Sequence, residues 1–248
     1  MIKVKPYKDI VLEFDEEKHR FTIAGRDIIS VTGATSMVDK SGPLMGWQEK
    51  LSREDLMPEV GKVLTEEMVL RATSLHRKRK EEAKDIGTQI HDWIESYIGT
   101  QIHDWIESYI KNQKLKIPDD EKIKNGVLAF MKWVDENKIK FLKSEEYVYS
   151  KKYDYAGILD IEAKVNGKLA IVDIKSSNGV YNEMRYQVAG YRGAKEEMNK
   201  KKYDESWIIQ LGKDTGEFKT YLLDSHKKDF AAFLGALTIK RREIELRK

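Results

Sequence analysis

The sequence predicts an α/β fold in which a central mixed β-sheet is flanked by helices. One observation is the segment 155–177, where apolar residues alternate on either side of an Asn-Gly dipeptide, as in a β-hairpin. A second is that stretches with helical periodicity, residues 120–137 and 182–200, precede and follow this hairpin. The third is a pair of further strand-like segments, at 206–211 and 217–223. Strands interleaved with helices in this way favour a sheet covered by helical layers.

The composition indicates a globular protein with one sizeable core. The chain has 248 residues, of which 40% are hydrophobic and 35% are charged. It has no cysteine, which excludes disulfide bonds and a cysteine-ligated iron–sulfur cluster and favours a cytoplasmic location, in a cell or in a virus-infected host. No apolar run approaches the roughly 20 residues that a membrane span requires. No signal peptide opens the chain, so we expect a soluble protein without a membrane partner.

The charge is nearly balanced in sum but unevenly distributed along the chain. The formal net charge is only +3, whereas basic residues cluster at 77–80, 200–202 and 240–248. Such clusters can neutralise the phosphate groups of a nucleic acid. A run of charges is usually a solvated helix face, however, so the clusters alone do not identify a nucleic-acid partner.

The amino-terminal third is predicted to consist of a β-hairpin followed by helices. Two apolar-rich stretches, 10–14 and 20–23, lie on either side of a polar turn. Ser30 then suits the amino terminus of a helix. The charge-rich stretch 52–86 is helical in character and is interrupted near Pro58.

A perfect tandem repeat of twelve residues follows, in which residues 87–98 and 99–110 are identical. Two units of this length are too few and too short for a solenoid, so we interpret the repeat as a recent or engineered duplication. Each copy has the apolar stripe of an amphipathic helix and one histidine, His91 or His103. A shift of twelve residues rotates a helix by about 120°, so only one copy can occupy a given position. We favour the second copy, because the charged segment upstream can absorb an extension more readily than a short loop.

The hairpin at 155–177 places two carboxylates and a lysine on one face. With a two-residue type I′ turn at Asn166-Gly167, Asp160 lies directly opposite Asp173, and Lys175 follows on the same face. The opposite face is wholly apolar, which supports the register independently of the turn. Its residues are Leu159, Ile161, Ala163, Ala170, Val172 and Ile174. The second strand is apolar on much of both faces and is therefore predicted to be a central strand.

Two carboxylates that face each other require a cation between them or a shifted pKa. Facing side chains of this kind are about 5 Å apart at Cβ, where like charges are destabilising. Hard divalent cations such as Mg²⁺ take oxygen ligands, and a neighbouring lysine can stabilise a developing phosphoryl charge or position a water. The alternative is an ordinary, partly exposed hairpin with a mixed-charge face, and the pattern alone does not decide between the two.

Four short motifs, taken in order, resemble the PD-(D/E)XK nuclease superfamily in its RecB-like exonuclease branch. They are Gly-Thr-x-x-His in the repeat, Gly157-Ile-Leu-Asp160, Asp173-Ile-Lys175 and Gln187-Val-Ala-Gly-Tyr191. Each motif alone is weak, and a glutamine and a tyrosine four residues apart on a helix are ordinary without the others. The resemblance covers residues 86–195, and the lack of cysteine matches the phage and mitochondrial-type members without an iron–sulfur cluster.

The resemblance implies a restriction-endonuclease-like core within a single nuclease domain spanning 1–248. Residues 1–85 would form the amino-terminal hairpin and a helical appendage. The catalytic core would then span 86–224, and 225–248 would form a basic carboxy-terminal helix.

The resemblance also implies a site for Mg²⁺ or Mn²⁺. Its ligands would be Asp160, Asp173, the carbonyl of Ile174, one of His103 and His91, and an acidic residue of the strand 141–150. That residue is Glu145 or Glu146; they point to opposite faces of the strand, so only one can serve, and the family pattern points to Glu145. Lys175 would position the attacking water, while Gln187 and Tyr191 would organise the DNA end and the catalytic groups.

These features predict a divalent-metal-dependent deoxyribonuclease that hydrolyses phosphodiester bonds as an exonuclease. Its partner would be DNA, at ends or single-stranded, in replication, recombination or repair. One alternative is an endonuclease of the same superfamily, against which the Gln187–Tyr191 helix argues. Another is a catalytically inactive DNA-binding protein. The copy of the duplicated helix that does not serve the site would extend the helix, loop out or pack against a second chain, so a homo-oligomer is also considered.

Overall fold

The structure, a computed structural model, describes residues 1–38, 41–82, 99–111, 113, 115–177 and 179–247. The chain divides into two compact units, one formed by Met1–Val38 with Gly99–Lys248 and the other by Asp39–Ile98. Within the described residues, no helix is both long enough and apolar enough to cross a membrane.

The larger unit contains a mixed β-sheet flanked by helices, which confirms the predicted fold class. Its strands are β1 (Ile2–Tyr7), β2 (Ile10–Asp15), β3 (Arg20–Ile23), β4 (Arg26–Ser30), β5 (Lys140–Ser150), β6 (Tyr155–Val165), β7 (Lys168–Lys175), β8 (Glu205–Leu211) and β9 (Phe218–Leu222). They are paired in the order β1-β2-β3-β4-β6-β7-β8-β9, and β5 pairs with β6 outside this path. The helices of this unit are α1 (Val31–Thr35), α4 (residues 99–110), α5 (Glu121–Glu136), α6 (Asn182–Asn199) and α7 (His226–Leu246).

The amino-terminal strands extend beyond the predicted hairpin. The hairpin of β2 and β3 is confirmed, but β1 and β4 flank it and make a four-stranded antiparallel meander. The strand β4 continues into the rest of the sheet through a short parallel pairing of Ile29 with Tyr155. Ser30 caps α1 as predicted, because its Oγ accepts a hydrogen bond of 2.9 Å from the Gly33 amide.

The register predicted for the β6–β7 hairpin is confirmed from the turn to Ile161 and Val172, but the pairing does not extend to Asp160 and Asp173. Ile161 pairs with Val172 and Val165 pairs with Lys168, so the turn consists of Asn166-Gly167. Both turn residues have positive φ, 49° and 87°, as a type I′ turn requires. The strand β7 lies between β6 and the parallel strand β8, which confirms that it is a central strand.

One residue of the predicted apolar face lies elsewhere. All six are buried as expected, but Leu159 packs in a cluster with Ile171, which the regular alternation assigns to the opposite face. The β5–β6 register shifts between Phe141 and Lys143, and further along β5 Glu145 has a left-handed backbone (φ 46°). The paired positions on either side of it are Ser144 with Ile161 and Glu146 with Leu159. The position of β6 that lies opposite Glu145 is therefore Asp160.

The second copy of the repeat packs into the core of this unit. In α4, Ile102 and Trp105 are buried, and the indole Nε1 of Trp105 donates a hydrogen bond of 3.0 Å to the Lys116 carbonyl. Ile102 lies against Gly126 of α5, where a Cβ would come within 2.3 Å of its Cδ1. The first copy, and His91 with it, lies outside the described residues.

The smaller unit contains α2 (Ser41–Leu56), a 3₁₀ turn (Met57–Glu59) and α3 (Glu66–Glu82). The predicted interruption near Pro58 coincides with this turn. The two helices are joined by a hydrogen bond of 3.0 Å from Ser52 Oγ to the Ala72 carbonyl. An ion pair of 3.0 Å between Arg71 and Asp55 adds a second link between them.

Candidate metal centre

Three side chains from different elements converge in the larger unit. His103 of α4, Glu145 of β5 and Asp160 of β6 each offer one ligand atom, and these atoms lie within 4.8 Å of one another. Two carboxylates with an imidazole can hold a divalent cation. The sequence prediction had named all three residues, and the structure places the histidine of the second copy beside the two acids.

Asp160 is held in place by the neighbouring strand. Its Oδ2 accepts a hydrogen bond of 2.8 Å from the backbone N–H of Ile174. The β6–β7 pairing ends at Ile161 with Val172, so beyond it this amide donates to a side chain instead. The contact that Ile174 makes here is through its amide; the role of its carbonyl as a ligand stays a prediction.

Asp173 is fully buried next to one cation. Its side chain is 0% exposed, and its Oδ2 lies 2.6 Å from the Nζ of Lys175. Among the described residues, neither carboxylate oxygen accepts a hydrogen bond of good geometry. A buried carboxylate without such donors is costly. The Oδ1 atom, which has no partner of either kind among the described residues, fits a site in which a metal ion supplies one, but Asp173 is not one of the three residues whose ligand atoms converge.

The electrostatics show an excess of negative charge at this point. Burial, together with the Asp160 charge, raises the pKa of Glu145 to about 8. Burial raises the pKa of Asp173 to about 6, although Lys175 opposes the shift, and it also raises the pKa of Asp160. Burial lowers the pKa of His103, which favours the neutral imidazole that binds metals. A divalent cation would stabilise the deprotonated acids.

For Lys175, the neighbouring charges together affect the pKa more than burial does. Burial alone would lower its pKa, but Asp173 and Asp160 outweigh burial and raise it. The ammonium therefore stays protonated at neutral pH.

The predicted pair on α6 lies next to the same acids. The Gln187 amide donates a hydrogen bond of 2.8 Å to the Tyr191 hydroxyl. Burial, followed by the charges of Asp173 and Asp160, raises the pKa of Tyr191 well above its ordinary value. The hydroxyl thus stays protonated, and its own proton remains available for an acceptor in the site.

The prediction from sequence missed a buried charged group beside this centre. Lys195 of α6 contacts Glu146 of β5, and its Nζ lies 3.1 Å from Glu162 of β6. The available signal was that Lys195 follows Tyr191 by four residues and so lies on the same helix face.

The basic clusters are partly engaged within the protein. Lys202 pairs with Glu196, and Arg241 donates to the carbonyls of Tyr153 and Asp154. Arg242 pairs with Glu245 at 3.1 Å. These contacts stabilise the fold, and any role of the clusters in binding DNA stays a prediction.

Comparison with known proteins finds similarity to solved structures. No family model matches the chain, and no curated protein matches it. Among solved structures, the chain is similar to the one described as the crystal structure of SSO0001, with 12% identity, coverage of 79% of this chain and 86% of that chain, and a TM-score of 0.32. A similarity of this size carries no argument about fold or function, so both rest on the residues themselves.

Proposed function

We propose that this chain is a divalent-metal-dependent deoxyribonuclease of the PD-(D/E)XK superfamily, acting as an exonuclease on DNA ends or single-stranded DNA. The observation that carries the proposal is the convergence of His103, Glu145 and Asp160. Beside them lies the buried ion pair of Asp173 with Lys175. An ordinary exposed hairpin would leave these groups solvated instead of burying them together.

The donor set supports Mg²⁺ or Mn²⁺ as the metal. Asp160, Glu145 and His103 would hold it, and Asp173 beside them has a buried Oδ1 that accepts no hydrogen bond within the described residues. When bound, such an ion lowers the pKa of a water and neutralises charge on a phosphodiester.

Lys175 would act as a fixed positive charge. Its raised pKa keeps it protonated, so it can donate hydrogen bonds to a phosphate oxygen or to the attacking water, but it cannot serve as the base. Asp173 holds the ammonium at the site through the 2.6 Å contact. Removing the amine would therefore remove transition-state stabilisation while leaving the metal ligands in place.

Digestion of end-labelled DNA tests the proposal. Linear single- and double-stranded substrates labelled at the 5′ or 3′ end, and a circular single strand, are incubated with Mg²⁺, with Mn²⁺ or with a chelator. We expect release of nucleotides from linear DNA only with metal. Cutting of the circle would instead indicate an endonuclease. Intact DNA under all conditions would indicate that the protein binds DNA without hydrolysing it.

A matched pair of lysine variants links the activity to the site. Lys175→Ala should reduce the rate by at least about 100-fold. Lys168→Ala, on the same strand but exposed and paired with Glu205, is the control and should retain the wild-type rate. Equal rates for Lys175→Ala and wild type would overturn the assignment.

A further inference from the structure

A buried lysine joins two strands directly beside the metal centre. Lys195 is 3% exposed, and its Nζ contacts the carboxylates of Glu146 on β5 and Glu162 on β6. The Tyr203 hydroxyl donates to Glu162 at 2.8 Å, and Lys143 donates to Glu146 at 2.8 Å. Each carboxylate thus has two partners, as buried charges require.

Lys195 continues a line of side chains on α6. Gln187, Tyr191 and Lys195 follow one another at intervals of four residues, so they lie on one face of the helix. The first two lie near Asp160 and Asp173, as the pKa of Tyr191 reflects. The third reaches the strand β5, which carries Glu145. One helix face therefore contacts both halves of the centre.

The backbone of Glu145 needs such support. Its φ of 46° is in the left-handed region, which a non-glycine residue adopts only when its surroundings hold it there. The Glu145 carboxylate lies beside His103 and Asp160, while the next side chain, Glu146, contacts Lys195 and so lies towards α6. The contact with the buried Lys195 fixes Glu146, the residue that directly follows the strained Glu145.

We propose that Lys195 is a positioning residue of the metal centre: by holding Glu146 towards α6, it keeps Glu145 in the left-handed conformation that turns its carboxylate to His103 and Asp160. The effect on metal binding rests on the proposed function. The effect on the backbone of Glu145 does not.

The backbone effect is tested by comparing glycine and alanine at position 145. Glycine tolerates positive φ and alanine does not, whereas alanine is the more stable of the two in an ordinary strand. With Lys195 intact, Glu145→Gly should melt about 2–4 °C above Glu145→Ala. In a Lys195→Met background the difference between the two melting temperatures should reverse or vanish, because the backbone at position 145 is no longer held in the left-handed conformation.

Glu162→Gln is the matched control for this comparison. It perturbs the other carboxylate of Lys195 but leaves the contact with Glu146, so glycine should remain favoured over alanine at 145. Should Lys195→Met fail to fold, Glu146→Gln weakens the same contact with little change in shape. A glycine preference that persists without the Lys195–Glu146 contact, or is absent from the wild-type background, overturns the proposal.

The metal effect is tested by titrating the metal-free protein with Mn²⁺ and measuring binding directly by calorimetry. Loss of a group that orients a ligand typically weakens metal binding about 10–100-fold, so we expect at least about 10-fold for Lys195→Met. Glu162→Gln should stay within about two-fold, and Lys195→Arg should recover most of the affinity. Equal losses in Lys195→Met and Glu162→Gln would show a merely structural role.

The two proposals fail in distinguishable ways. If the wild type binds Mn²⁺ but releases no nucleotide, the nuclease function is wrong and the positioning role of Lys195 stands. If the wild type binds no Mn²⁺, the metal centre is wrong and with it the role of Lys195 in holding a ligand.

Discussion

Gly157 of β6 lies directly against the aromatic ring of Tyr191 of α6. A Cβ at position 157 would come within 2.6 Å of Cε1 and 2.9 Å of Cδ1 of that ring, and within 3.0 Å of Cγ2 of Val31. No side chain can be accommodated at such distances without displacing a neighbour. The glycine three residues before Asp160 thus allows the tyrosine to lie next to the acids, which gives two of the sequence motifs a common physical reason.

The Gly157→Ala variant should therefore be impaired in both stability and activity. Displacing a buried ring usually costs about 1–3 kcal/mol of unfolding free energy, measurable by urea denaturation. Nuclease activity should fall further than stability explains, because the Tyr191 hydroxyl moves away from the acids. Gly235→Ala is the control, since a Cβ there meets nothing within 4 Å and alanine is favoured in a helix. Normal activity in Gly157→Ala would contradict this account.

The two repeat histidines should not be equivalent. His103 lies beside Glu145 and Asp160, so His103→Ala should weaken Mn²⁺ binding about 10-fold or more. His91→Ala, at the matching position of the first copy, should bind Mn²⁺ like the wild type. Calorimetric titration of both variants compares them directly. A larger loss in His91→Ala would assign the ligand to the first copy.

The two copies of the repeat should also differ in how much their isoleucines contribute to the packing of the core. Ile102 is 0% exposed, so Ile102→Ala should lower the unfolding free energy by about 2–5 kcal/mol through the cavity it leaves. Ile90→Ala removes the same atoms from an identical sequence context in the first copy and should cost less. Denaturant unfolding of both variants gives the two values. A cost for Ile90→Ala equal to that for Ile102→Ala would contradict a core built on the second copy.

Deprotonation of Asp173 and Glu145 should destabilise the metal-free protein as the pH rises. The pKa of Asp173 is raised to about 6 and that of Glu145 to about 8 in the folded state, whereas unfolded carboxyl groups titrate near about 4. An acid with a raised folded pKa contributes stability below its unfolded pKa and loses it as the pH rises through the folded value. In a chelator, the melting temperature of the wild type relative to that of Glu145→Gln should therefore fall between about pH 4 and pH 8.

Metal and a neutral variant provide the controls for this pH dependence. Mn²⁺ binds the deprotonated acids, so its stabilising effect should grow as the pH rises over the same range. Glu145→Gln removes the group that titrates highest and should flatten the upper part of the curve. A melting temperature that rises with pH in the chelator, and more so in wild type than in Glu145→Gln, would refute the assignment.

The hairpin was predictable because its information is local. The Asn166-Gly167 turn and the alternation of apolar residues specify the register, and the structure has that register. The outer strands β1 and β4 were not predicted. The strand β1 contains Pro6, which weakens the strand signal, and β4 has only five residues and joins the sheet through a non-local parallel pairing.

The site residues that belong to short sequence motifs were predictable, whereas features that depend on tertiary packing were not. The acids, the lysine and the Gln187–Tyr191 pair are marked by short patterns. The left-handed backbone of Glu145 is not, because glutamate has no local preference for positive φ. Nor is Lys195, since a lysine on a helix ordinarily indicates a solvated position, and only the tertiary structure buries it between two glutamates.

The tandem repeat has a genetic consequence. Deleting residues 87–98 or deleting residues 99–110 produces one and the same polypeptide, because the two stretches are identical. That shortened chain retains a glycine-to-isoleucine segment able to make every contact described for α4, directly joined to the sequence that precedes the repeat. A single recombination event between the two copies in the coding sequence would therefore give an unduplicated chain that keeps every residue of the metal centre.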